Sequence, residues 1–170
     1  SDVEEVAAAS EVPVINALTD EHHPCQALAD LLTLREHYGE LEGLRVAYVG
    51  DDNNVSRSLT DAGALAGMEV VIASPPDDPF EAVRGAQAVY TDVWVSMGEA
   101  DKDLARFEPY RVTEELMRAA GPQAVFMHCL PAHRGLEVAG EVIDGPRSLV
   151  FPQAANRLPT EQAVLHAPCT

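Results

Sequence analysis

Short apolar runs alternate along this chain with stretches of helical spacing. Ala27, Leu28, Leu31, Leu32 and Leu34 form a stripe that repeats as one face of a helix does. Pro24 suits the first turn of that helix, where its missing N–H costs nothing, and Gly39 suits the cap at its end. Arg45–Val49 reads as an apolar strand, residues 50–54 as a turn, and residues 55–66 as a helix ended by Gly67. Residues 70–73 predict a second strand, closed by Ser74-Pro75-Pro76. A short helix over about 79–84 leads to a third strand at Ala88–Thr91. Leu116 to Ala120 close another helix, stopped by Gly121-Pro122, and residues 125–127 and 148–151 read as fourth and fifth strands. Residues 1–12 are acidic and alanine-rich without a usable period; they read as a connector, with 13–170 as one domain.

Strands that are apolar throughout and alternate with helices imply an α/β fold: a mainly parallel sheet covered by helices on both faces. Val46, Val71, Val89 and Val125 are then expected on buried strands. Such sheets bind ligands beyond the carboxyl ends of their strands. Those ends carry Gly50-Asp51-Asp52-Asn53-Asn54, Thr91-Asp92 and His128-Cys129-Leu130-Pro131. Polar residues thus fall where this fold places a site.

The composition narrows the choices. A chain of 170 residues, 46% of them hydrophobic, makes about one domain with a real core. No run approaches the ~20 apolar residues of a spanning helix. Basic residues number 11 and acidic ones 28, a net charge of −17, and Lys102 is the single lysine. Such a chain repels phosphate backbones and anionic membranes, so nucleic acid and membrane are excluded as partners. Cys25, Cys129 and Cys169 are odd in number and far apart, which suits a reducing, cytoplasmic setting without disulfides. Residues 1–10 hold no basic segment, so no signal peptide is expected there.

Each polar segment has two readings. An asparagine of the 51–54 turn either caps the following helix or offers donor and acceptor to a zwitterion. Gly50 stands without the other glycines of a dinucleotide loop. Asp92, before Val93-Trp94-Val95-Ser96-Met97-Gly98, either starts a turn beside a buried tryptophan or holds a cationic amine. Cys129 is a small buried hydrophobe, a hydrogen-bonding contact, a nucleophile or one of too few metal ligands. His23 and Gln26, three apart at a helix start, either cap that end or face one ligand. No G-x-S-x-G elbow is present, which disfavours a serine hydrolase.

Together, His23-Pro24-Cys25-Gln26, Gly50 to Asn54, Asp92 to Gly98, His128 to Pro131 and Phe151 to Arg157 run in one recognisable order. The chain resembles the second, ornithine-binding domain of ornithine carbamoyltransferases, within the aspartate/ornithine carbamoyltransferase superfamily. HP-x-Q is common to both branches; D-x-W-x-SMG and HCLP favour ornithine. The resemblance implies a Rossmann-like domain of an enzyme that moves the carbamoyl group of carbamoyl phosphate to ornithine, in arginine metabolism or the urea cycle. It implies that Asn54, Asp92, Ser96 and Met97 bind ornithine. His23, Gln26, Cys129, Leu130 and Arg157 would meet carbamoyl phosphate, with Cys129, Arg157 and His23 at the chemistry. It implies no metal and no organic cofactor, an N-terminal carbamoyl phosphate-binding domain as partner, and a homotrimer or larger assembly.

Three departures qualify the resemblance. The Ser-Thr-Arg-Thr run of the phosphate-binding domain is not in the chain. The stretch from Ala73 to Phe80 is short where the family has a further helix and strand, so an edge strand is expected to be missing. Ala155 stands where the family usually has glutamate, and the apolar final helix stops early. A non-catalytic amino-acid-binding or relic domain of the same descent is the alternative reading, and an unrelated flavodoxin-like module a more distant one.

Overall fold

Four parallel strands carry the apolar runs. They are β1 (Arg45–Val49), β2 (Glu69–Ala73), β3 (Ala88–Thr91) and β4 (Val125–His128), side by side in the order β2-β1-β3-β4. The computed structural model describes residues 2–95 and 103–167. Alternate side chains of a strand point to opposite faces, so a wholly apolar strand serves two cores at once. Val46, Tyr48, Ala88, Tyr90, Val125 and Met127 enter one core, with Leu34, Val55 and Leu59. Ala47, Val49, Val89 and Phe126 enter the other, with Val83, Leu116, Met117 and Val142. Helices α2 (Pro24–Tyr38) and α3 (Asn54–Leu65) cover the first face, and α7 (Val150–His166) packs along α2 beside β4. Helices α4 (Pro79–Val83), α5 (Glu114–Ala120) and α6 (Gly140–Ile143) cover the second.

The chain runs from β1 through α3 outward to β2, then returns past β1 to β3 and β4. This reversal opens a crevice at the carboxyl ends of β1 and β3, where doubly wound sheets bind ligands. No helix among the described residues is long and apolar enough to cross a membrane.

Three sequence expectations need correction. Residues 148–151 do not form a fifth strand: Ser148 makes one isolated bridge to Phe126, and Val150 already begins α7. Pro152 has no N–H for a ladder but is tolerated in the first turn of a helix. Residues 2–9 form a helix, α1 (Asp2–Ala9), none of whose residues is buried. Alanine propensity and acidic residues at the first turn favour it. Val71 is only half-buried because β2 is the edge strand, and residues 74–78 lead directly from it to α4. Val46, Val89 and Val125 are buried as expected.

A polar seam crosses the first core and ties α2 to α7. Gln153 of α7 donates from Nε2 to Asp30 Oδ1 at 2.7 Å and to the Tyr90 hydroxyl at 3.0 Å. Its Oε1 accepts the His128 backbone N–H at 2.9 Å. Gln26 Nε2 donates to the same Asp30 oxygen at 2.8 Å. One helical turn along α7, Asn156 Nδ2 donates to Thr33 Oγ1 at 3.0 Å and to Glu36 Oε2 at 2.7 Å.

Asp30 is fully buried, and burial raises its carboxyl from 3.8 to about 7, against the hydrogen bonds of Gln26, Gln153 and Tyr90. A raised carboxyl favours the fold below its unfolded value. That contribution fades as pH climbs through the folded one, by about 4 kcal/mol in all. Asp30→Asn keeps an oxygen for both amides and removes the titration. Urea unfolding at pH 5 and pH 8 should show the wild type losing about 2–3 kcal/mol more than the variant across that interval. Parallel losses in both proteins would remove Asp30 from this role.

Candidate active site

The crevice is lined from the ends of β1, β3 and β4. Gly50 leaves β1 with φ of 138°, and a Cβ there would stand 3.2 Å from Thr91 Oγ1 and 3.5 Å from Trp94 Nε1. Only glycine lets the turn lie this close to β3 in that conformation. Asn53 then caps α3, its Oδ1 accepting from the backbone N–H of Val55 and Ser56 at 2.9 and 3.2 Å. Tyr48 donates to the same oxygen at 3.2 Å. With Oδ1 so engaged, Asn53 Nδ2 is left facing the crevice and donates to Asp92 Oδ2 at 3.0 Å.

Asp92, at the end of β3, is buried, and its second oxygen accepts from Cys129 Sγ at 3.0 Å. Two strand ends thus converge on one carboxylate, and Asp92 and Cys129 lie on the same rim of the sheet. Burial, then the Asp92 charge, pushes the Cys129 thiol well above its ordinary value. Cys129 is therefore a protonated donor, which argues against a thiolate nucleophile. Asp92, His128 and Cys129 offer ligand atoms within 4.8 Å of one another, a trio with the donor types of a soft divalent cation. The hydrogen bonds described here occupy the thiol proton and His128 Nδ1.

The second wall comes from α2 and α7. His23 precedes Pro24 at the start of α2; its backbone N–H donates to Ser58 Oγ at 2.7 Å, and its Nδ1 is buried without a partner. Burial, followed by the Arg157 charge, lowers the imidazole below its usual value, so His23 is neutral at pH 7; Asp92 and Glu161 pull the other way. Gln26 Oε1 accepts from Arg157 Nη1 at 2.8 Å, a consequence of its Nε2 being held by Asp30. Arg157 also donates from Nε to Glu161 Oε1 at 2.9 Å and from Nη2 to the same oxygen.

The structure thus brings Asp92 and Cys129 together, and Gln26 with Arg157, as the sequence suggested. Asn54 lies on the same rim, but its Nδ2 donates to the Thr19 carbonyl at 2.7 Å, and it is the neighbouring Asn53 that reaches Asp92. Leu130 adjoins Cys129 in a left-handed backbone conformation. Ser96 and Met97 lie outside the described residues. Sequence reasoning passed over Tyr48, Asp30 and Glu137, and named Asn53, His128 and Gln153 only within motifs, without a role of their own. Asp30 follows Gln26 by four, a helical spacing that places both on one face. No comparable signal marks Tyr48, which resembles any aromatic on a buried strand.

An α/β domain of the doubly wound class thus carries a buried carboxylate and a protonated thiol past its strand ends, with an arginine–glutamine pair between α2 and α7. Comparison with known proteins makes the class particular. Residues 75–167 match the family model described as "Aspartate/ornithine carbamoyltransferase, Asp/Orn binding domain", and residues 1–36 match the "carbamoyl-P binding domain" of the same name. The chain belongs to the aspartate/ornithine carbamoyltransferase family. It is 53% identical to an ornithine carbamoyltransferase of Symbiobacterium thermophilum, over 96% of this chain and 62% of that protein. The solved ornithine carbamoyltransferases of Thermus thermophilus and Pyrococcus furiosus superpose with TM-scores of 0.90 and 0.92, at 48% and 44% identity. Each is matched over 96% of this chain and over 61% and 62%, respectively, of the other. The chain therefore spans under two thirds of the length of the relatives it matches. In the first alignment 96% of 170 residues fill about 163 of 193 positions, leaving about 30 to gaps in this chain.

The Asp92–Cys129 contact predicts a slow thiol. Alkylation by iodoacetamide at pH 8, followed by peptide mass mapping to separate Cys25 and Cys169, should modify Cys129 far more slowly than free cysteine. Asp92→Asn should accelerate it, because both the charge and the acceptor that hold the proton are weakened. Equal rates in the two proteins would break the link.

Proposed function

We propose that this chain is the ornithine-binding part of an ornithine carbamoyltransferase, which transfers the carbamoyl group of carbamoyl phosphate to ornithine and releases citrulline and phosphate. The observation that carries the reading is the Asp92 carboxylate, buried at a strand end between Asn53 and Cys129. Among the described residues the hydrogen-bond partners of this buried carboxylate are a neutral amide and a thiol rather than a cation, which suits it to an ammonium or amine ligand. Family membership supports ornithine. The Asp92 charge disfavours a second carboxylate, as aspartate would bring.

In this reading Asp92 accepts from the side-chain amine of ornithine, and Cys129 orients beside it. The amine attacks as the neutral base. Its nitrogen forms the bond to the carbamoyl carbon, the carbon–oxygen bond to phosphate breaks with its electron pair leaving on phosphate, and the proton lost from the nitrogen ends on that phosphate. Arg157 and His23 donate to the carbamoyl oxygen, where negative charge grows. Gln26 and Glu161 hold the Arg157 guanidinium, and the N–H groups they leave unengaged would face that oxygen. Asn54, Ser96 and Met97 complete the amino-acid side, and Leu130 closes over the carbamoyl side. The proposal keeps residues 13–170 as the ornithine-binding domain and 1–12 as connector. The role of His23 and Gln26 toward carbamoyl phosphate is supported by the match of residues 1–36 to the carbamoyl-P binding domain model. An N-terminal carbamoyl phosphate-binding domain as partner, a homo-oligomeric assembly, a cytoplasmic location and a role in arginine metabolism belong to the same proposal.

Calorimetric titration with ornithine tests it. Asp92→Asn should weaken ornithine by about 1.5–3 kcal/mol, the worth of a charged hydrogen bond. Unchanged affinity would remove Asp92 from the site. The 170-residue chain by itself should form no citrulline above background. A net charge of −17 opposes a dianion, and the chain has no Ser-Thr-Arg-Thr run to bind one. Robust citrulline formation by this chain would show that it holds a phosphate site of its own.

A further inference from the structure

The turn after β4 holds a residue in a conformation its own side chain disfavours. Leu130 has φ of 58°, the only positive value among the described non-glycine residues. Its backbone N–H donates to Nδ1 of His128 at 2.9 Å. A ring nitrogen accepts only when it carries no proton, so the proton of the neutral His128 ring is on Nε2. The His128 side chain is fully buried, and Nε2 makes no well-formed hydrogen bond. The polar atom it faces is Oε1 of Glu137, 3.4 Å away.

Glu137 is itself buried, and its Oε1 also receives the backbone N–H of His133. Burial pushes its carboxyl upward, but His128 and the N–H groups of His133 and Glu137 outweigh this and hold it below the usual value. The proposed chemistry uses neither His128 nor Glu137. Yet His128 is the last residue of β4 and directly precedes Cys129, and its ring nitrogen, Cys129 Sγ and an Asp92 oxygen are mutually within 4.8 Å.

We propose that Glu137 is a positioning residue that acts through His128. Its buried carboxylate keeps the imidazole proton on Nε2. That leaves Nδ1 bare to hold the Leu130 N–H, and the resulting left-handed turn aims Cys129 Sγ at Asp92. With the proton on Nδ1 instead, two N–H groups would oppose each other and the turn would lose this restraint. The consequence for ornithine rests on the functional reading above; the consequence for the tautomer does not.

Nitrogen NMR of the full chain with 15N-labelled histidine reads the tautomer directly. The unaltered protein should show a bare Nδ1 and a protonated Nε2 at His128. Glu137→Gln retains an oxygen for Nε2–H and should keep that tautomer, with ornithine affinity within about twofold. Glu137→Leu removes the acceptor. It should mix or reverse the tautomer, shift the Leu130 amide resonance and weaken ornithine by about tenfold. A protonated Nδ1 in the unaltered chain would overturn the proposal even if the leucine variant fails to fold. So would a folded leucine variant with the original tautomer. If the unaltered chain binds no ornithine, the functional reading fails, while the tautomer measurements still decide the role of Glu137.

Discussion

The carboxamide of Gln153 is where α2, α7, β3 and β4 meet. Its nitrogen serves Asp30 and the Tyr90 hydroxyl, and its oxygen serves the His128 N–H. Asp30 in turn holds Gln26 with its oxygen toward Arg157. An amide has distinct donor and acceptor ends, so each contact constrains the next. If this seam were replaced by apolar packing, both helices would still be buried, but nothing would set their register. Gln26 owes its orientation to it, and through Gln26 the seam reaches Arg157.

A second constraint acts on the opposite wall. Asn53 does two things with one side chain: it caps α3 through Oδ1 and holds Asp92 through Nδ2. The capping role decides which end of the amide faces the crevice, so local helix chemistry sets the electrostatics of the site. Asp92 then keeps the proton on Cys129. In the proposed reading Asp92 serves a cationic amine and Arg157 an oxygen bearing partial charge, as a reaction between an amine and a carbonyl carbon requires.

At the edge of the sheet residues 74–78 pass straight from β2 into α4. The strand order β2-β1-β3-β4 places β2 farthest from β4 and its Cys129 turn. The reversal of strand order, and with it the crevice at the ends of β1 and β3, lies inside the sheet, away from that edge.

Much of this was legible in the residues alone. The apolar runs at Arg45–Val49 and Ala88–Thr91 are strands because β-branched and aromatic residues there serve two cores. Pro24 and Gly39 bound α2 for reasons of backbone chemistry that act locally. The apolar runs ending at Thr91 and Met127 placed Asp92 and Cys129 just past strand ends. What the residues did not reveal depends on distance in the chain. Whether residues 148–151 extend the sheet or begin a helix is decided by how α7 packs on α2, since the run itself suits either. Asn53 rather than Asn54 meets Asp92 because the helix cap orients one side chain and the Thr19 carbonyl claims the other. Asp30 and Glu137 look like surface acids in sequence. Only the fold buries them, and burial turns them into the groups that orient Gln26 and face His128.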